Sequence, residues 1–110
     1  MSSRAPATFF KIKTAVLGKH YDLSVAFLSP QKMRAVTLRT KKKNKVSNVL
    51  AFPLSKKSGE ILICRAAAKP YTPEYLFIHG LLHLKGLGHG GTMEREEGRL
   101  LRRFGFRKNA

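Results

Sequence analysis

The chain has 110 residues, with 22 Lys and Arg against 6 Asp and Glu and a formal net charge of +16. That length fits a single domain over residues 1–110 and excludes a large multi-layer enzyme, leaving one modest core beneath two layers of secondary structure. An apolar content of 43% with seven Phe excludes a disordered basic tail.

Residues 7–18 place Phe9, Phe10, Ile12 and Val16 at near-helical spacing and stop at Gly18, which predicts a first helix. Residues 21–29 alternate Leu23, Val25 and Phe27 with smaller or polar neighbours, the pattern of a strand, and Ser29-Pro30 opens a turn. Residues 31–40 set Met33, Val36 and Thr37 on one side of a basic helix. Two short apolar runs, 49–52 and 61–64, read as adjacent strands joined by an exposed loop holding Pro53, Lys56, Lys57 and Gly59. The segment 72–85 has Thr72 as N-cap, Pro73 at the first helical position and Glu74 at the positive helix end. Phe77, Ile78, Leu81, Leu82 and Leu84 cover most of its circumference, so this helix belongs in the core, and Gly86 and Gly88 end it. A last helix over 93–104 carries acids early and arginines late, matching the helix dipole, with Met93, Leu100, Leu101 and Phe104 inward.

Cys64, the lone cysteine, can close no internal disulfide and complete no thiolate zinc cluster; a reducing, cytoplasmic setting and a core position at a strand end are expected. The longest apolar stretch, 75–84, is about half of the ~20 residues a membrane span needs. The start of the chain, with Arg4, lacks the apolar region and cleavage site of a secretory signal.

Residues 1–70 hold 15 Lys and Arg against Asp22 and Glu60 alone, so the positive field is concentrated toward the front. Its densest run is Arg39-Thr40-Lys41-Lys42-Lys43-Asn44-Lys45. Such an excess suits a polyanion, with nucleic acid preferred over an anionic membrane surface.

Three of the four histidines fall in the stretch HGLLHLKGLGH as His79, His83 and His89. Residues four apart project from one helix face, so His79 and His83 can hold one ion between them. Gly86 and Gly88 provide the backbone freedom for His89 to fold back toward the pair. Three imidazoles and an open position describe a catalytic zinc site that acidifies water. Two imidazoles on an otherwise apolar helix are costly without such a partner. His20, in a basic loop, reads as structural or solvent-facing. The spacing also matches the HxxxHxxGxxH frame of zinc proteases, but Gly80 stands where their general-base Glu is required, which disfavours a peptidase. With the basic front half, metal-assisted cleavage of a phosphodiester fits better.

HGLLHLKGLGH resembles the HGxLHLxGYDH signature of the YbeY family of bacterial endoribonucleases and rRNA maturation factors. SNVLAFP at 47–53 is similar to that family's VLSFP strand, and GEILIC at 59–64 to its GDI-type strand, so that three motifs fall in family order. The resemblance implies an α+β fold in which a small mixed β-sheet packs with helices and a buried helix in the C-terminal half carries a three-histidine metal site. It implies His79, His83 and His89 as ligands of one Zn2+, with rRNA or other single-stranded RNA as substrate and the small ribosomal subunit as partner. The implied activity is single-strand-preferring endoribonuclease cleavage in rRNA processing and ribosome quality control.

Three departures accompany it. Gly88 replaces the family's Asp before the last histidine, with Leu87 where Tyr is common, so a carboxylate behind the metal ligands is expected to be absent. Lys41 stands where an ungapped count puts the family's arginine, with Arg39 as the substitute if the loop is two residues longer. The connection 65–71 is shorter than usual, leaving room for a brief turn at Ala66, Ala67 and Ala68. Lys41, Arg39 and His83 are thus the expected catalytic residues, and Arg39, Lys41, Lys42, Lys43, Lys45 and Asn48 the expected RNA contacts, with Ser47 beside them at the strand start. The competing readings are a non-catalytic ribosome-associated RNA-binding factor with a structural metal, which Gly88 and Lys41 favour, and a structural ribosomal protein.

Overall fold

The computed structural model describes residues 5–110, so the expectation built on Arg4 lies outside the described residues. Helix α1 (Ala7–Leu17) ends where Gly18 adopts φ +93, a conformation that favours glycine. Phe9 and Ile12 are buried, but Phe10 is exposed: successive residues are rotated by about 100° and cannot share one face. The other buried residue of α1 is Lys13, only 3% exposed. Its ammonium donates to the carbonyls of Gly18, Lys19 and Tyr21 at 3.3, 3.3 and 3.1 Å, tying the turn that follows α1 to the helix. Lys13→Met would strip that turn of its shared donor and is expected to cost roughly 2–4 kcal/mol, read from urea unfolding.

Strand β1 (Asp22–Phe27) buries Leu23 and Val25 as the alternation predicts. Helix α2 (Pro30–Lys41) starts with Ser29 Oγ accepting from Lys32 N–H at 3.3 Å and stops at Lys42, whose φ of +59 is left-handed. Strands β2 (Val49–Ser55) and β3 (Ser58–Ile63) form an antiparallel hairpin longer than the runs 49–52 and 61–64. Pro53 lies inside β2 rather than in a loop because β2 is an edge strand, where a missing N–H is tolerated, and the register shifts between Pro53 and Ser55. Lys56 and Lys57 make the turn. The sheet order is β1-β3-β2, with β1 parallel to β3, so the sheet is mixed.

Both sheet faces are covered, one layer more than the length suggests. Leu23, Val25, Ile61 and Ile63 join Phe9, Phe77, Ile78 and Leu81 in the main core, while Leu50, Leu62 and Cys64 pack with Met33 of α2 in a smaller one. Arg65–Ala67 form a single 3-10 turn in the short connection.

Helix α3 (Pro73–Lys85) has the expected start, Thr72 Oγ1 accepting from Tyr75 N–H at 3.1 Å, and Gly86 closes it at φ +107. Its residues Tyr75 to Ile78, Leu81 and Leu82 are buried, and Leu84 is half-buried. Gly80 lies against the sheet: a Cβ there would meet the Ile61 side chain at 3.1 Å, so no glutamate could serve at this position without entering the core. Helix α4 (Gly91–Phe104) begins two residues before 93, and buries Met93, Leu100, Leu101 and Glu97, with Phe104 half-buried. The chain after α4 returns to the start of α3, where Thr72 N–H donates to Lys108 O at 2.9 Å and Thr72 Oγ1 to Arg107 O at 2.6 Å. No helix among the described residues is long and apolar enough to cross a membrane.

Candidate metal centre and basic cleft

His79 and His83 project from one face of α3 with their Nε2 atoms 3.1 Å apart. His89 reaches the pair from the loop after α3, its ring centroid 5.2 Å from that of His79 and 4.8 Å from that of His83. One ligand atom from each of the three lies within 4.8 Å of the others. Gly86 turns the chain as expected, but the second unusual backbone angle belongs to Gly90, at φ +150, rather than Gly88. A Cβ at Gly88 would meet nothing within 4 Å, so the missing side chain there leaves space and no strain.

The outer nitrogens of the pair are held. His79 Nδ1 lies 2.6 Å from Glu97 Oε2, and His83 Nδ1 lies 3.1 Å from Leu87 O. Both partners accept, so each Nδ1 carries the proton and each Nε2 presents a lone pair. Two acceptors facing each other at 3.1 Å call for a shared cation. Tetrahedral zinc with Zn–N bonds of about 2.0–2.1 Å sets its nitrogens about 3.3 Å apart, close to the observed gap. Burial, with the nearby His79 and His89 imidazoles, holds His83 below the usual histidine range and favours the neutral, ligating form. The donor set therefore fits a metal ion held by three imidazoles, zinc among the candidates.

Glu97 corrects the expectation of an absent carboxylate. It is 5% exposed, and besides His79 it accepts from Tyr75 Oη at 3.3 and 3.4 Å. Burial, followed by the charge of Glu97 and the bond to it, pushes the Tyr75 hydroxyl up to about 12, so Tyr75 stays protonated and donates. The carboxylate behind the histidines thus comes from α4, and Gly88 does not remove it. Its signal was present in the sequence: residue 97 lies four after Met93 and three before Leu100, on the inward face of a helix whose acids were otherwise read as complementing the dipole.

The histidines line one side of a cleft of about 570 Å³, with Lys41, Lys45 and Asn48 on its border and Val49 and Ala51 of β2 in its wall. A second cavity of about 440 Å³, lined by Lys41, Lys43, Lys45, Ser47 and Asn48, shares several of these residues and continues the basic surface. Ser47 is buried and bonded to Thr37 Oγ1 at 2.8 Å, tying α2 to the start of β2. Lys42 is exposed at the end of α2 and borders neither cavity. Arg39 lines a different groove with Val36, Phe52, Leu54 and Glu60, on the α2 side of the sheet. Residues 39 and 41 are about 200° apart around α2, so one helix cannot point both into the cleft, and Lys41 is the one that borders it. His20 is exposed, as expected.

A sequence model of the family described as Endoribonuclease YbeY matches residues 5–104. The chain belongs to the YbeY family. Among similar relatives, each named Endoribonuclease YbeY, a Neisseria meningitidis serogroup B protein is 32% identical over an alignment of 133 residues covering 93% of this chain and 78% of the relative. A Campylobacter jejuni protein is 30% identical over 106 residues, covering 80% of this chain and 78% of the relative. A Rubrobacter xylanophilus protein is 36% identical over 80 residues, 69% of this chain; the match spans 58% of that relative's length. YbeY membership agrees with the resemblance carried by HGLLHLKGLGH, SNVLAFP and GEILIC, and with an α+β fold bearing His79, His83 and His89 in the C-terminal half.

Proposed function

We propose that this chain is a zinc-dependent endoribonuclease that cuts single-stranded RNA, acting in the cytoplasm in maturation of small-subunit rRNA and in ribosome quality control, in association with the small ribosomal subunit. The observation that carries this reading is the convergence of three imidazoles on one cleft whose border is supplied by Lys41, Lys45 and Asn48. The naming of the relatives as endoribonucleases supports it.

His79, His83 and His89 would hold the zinc ion, which supplies Lewis acidity toward a phosphate oxygen and toward water. The chain's own residues do the rest. Lys41 and Lys45 attract the phosphodiester and offset the charge that accumulates on it during cleavage. Lys41 borders the cleft, and its Nζ lies over the Phe52 ring, 5.5 Å from the centroid, a cation–π contact that holds the side chain at this edge of the sheet. The Asn48 amide offers a donor and an acceptor to the same backbone. Glu97 and the Leu87 carbonyl keep two imidazoles oriented. Lys42 and Lys43 add to the positive field that steers RNA toward this side, while Arg39, in the other groove, adds only to the overall charge.

The test is cleavage of single-stranded and duplex rRNA fragments by zinc-loaded protein, beside a variant with all three histidines changed to Ala. Loss of cleavage with RNA binding kept supports the enzyme. RNA bound but never cut by the zinc-loaded wild type would favour the RNA-binding factor. Binding should weaken steeply between low and moderate salt, since each neutralised phosphate releases counterions. Lys41→Ala should lower the cleavage rate by about a hundredfold, on the scale of removing one group that stabilises developing charge. Arg39→Ala, facing the other groove, should change it by less than about threefold.

A further inference from the structure

A second wall of the histidine cleft is aromatic, and no basic-cleft residue explains it. Tyr71 borders a cavity of about 280 Å³ together with Asn48, Val49, His79 and His89. Its ring packs on that of Tyr75 with centroids 5.0 Å apart, and Lys108 Nζ lies 5.9 Å from the Tyr71 centroid and 5.3 Å from that of Tyr75. Tyr71 also borders the adjoining cavity, where Glu94 and Glu97 contribute carboxylates.

We propose that Tyr71 is a stacking platform for one unpaired nucleobase of the RNA, placed across the histidines from Lys41 and Lys45, with Lys108 beside it to attract the neighbouring phosphate. The inference rests on the RNA-cleaving reading and deepens it, since it names a subsite that reads single-strandedness. Two observations and one stereochemical argument carry it. The platform is held on both sides along the chain: Tyr71 N–H donates to Ala68 O at 2.9 Å, Tyr71 bridges to Asn109, and Thr72 N–H donates to Lys108 O at 2.9 Å. With its backbone fixed and its ring packed on Tyr75, the side chain has little freedom left to lose on binding. Beside the ring lies a space of about 210 Å³ that Tyr71 shares with Tyr75, Glu94 and Lys108, room for a flat base with the lysine at its edge. Finally, a base can lie on Tyr71 only when it is out of its own stack, which a loop or single strand allows and a duplex does not.

The test uses zinc-loaded protein and a short single-stranded RNA carrying 2-aminopurine at each position in turn, with fluorescence read by stopped flow before cleavage. Wild type and Tyr71→Phe are expected to quench the probe at one position. Tyr71→Ala should lose that quench and bind about tenfold more weakly, the scale of one base–aromatic stack. Tyr71→Leu keeps apolar volume beside Lys108 without a π face and should behave as Tyr71→Ala, so a folding defect in the smaller variant does not decide the outcome. Equal affinity and equal quenching in wild type and both apolar variants overturn the platform while leaving the nuclease reading intact. A wild type that binds no RNA overturns both.

Discussion

With zinc in the proposed three-histidine site, protein carrying His83→Ala is expected to lose it altogether, from about one ion per chain to none by elemental analysis. His83 faces His79 Nε2 to Nε2 at 3.1 Å, and its removal leaves His79 and the exposed His89 without the second ligand that α3 preorganises. The loss is readable without any RNA. A ligand bound only by the folded state stabilises it by about 4 kcal/mol at a thousand times its Kd, which for a chain of this size is roughly 15 °C in Tm. Wild type should show that rise when zinc is added and His83→Ala should not. A zinc-dependent rise retained in the variant would place the ion somewhere other than the three histidines.

Changing Glu97 should produce the second large effect, because one buried carboxylate serves two donors. Glu97→Gln keeps the shape and one acceptor oxygen but removes the charge that orients His79 Nδ1–H, and zinc affinity should fall by about 10- to 100-fold. Glu97→Leu goes further. It leaves the Tyr75 hydroxyl and the His79 N–H without an acceptor in a site where Glu97 itself is 5% exposed, and should cost about 2–4 kcal/mol by denaturant unfolding even without metal. Unchanged zinc affinity in Glu97→Gln would mean that α3 alone holds the histidines in place.

Much of the site was legible because its parts are local. His79 and His83 are four apart on a helix whose N-cap, proline and C-terminal glycine are all written in the chain, and the structure shows each of them in that role. The β2 and β3 runs were visible as apolar stretches, but their length was not. Pro53 reads as a break until β2 is known to lie at the sheet edge, where nothing needs the N–H it lacks. Phe10 stands outside, against its expected place with Phe9, and Lys13 is buried, for a related reason. Composition puts phenylalanine inside and lysine outside, whereas the turn after α1 offers three carbonyls that make a buried ammonium favourable.

The sequence by itself determined the charge, the helix that carries the histidines and the three-imidazole spacing, since each depends on residues within a few turns of one another. Tertiary structure decided which distant residues join them. Only the packing of α4 on α3 brings Glu97 to His79, 18 positions away. Only the return of the last residues to Thr72 sets Lys108 beside Tyr71. Only the rotation of α2 on the sheet decides between Lys41 and Arg39 at the cleft. Periodicity shows which face of an element is apolar; which partner meets a polar residue on that face depends on how the elements pack, and no local pattern encodes it.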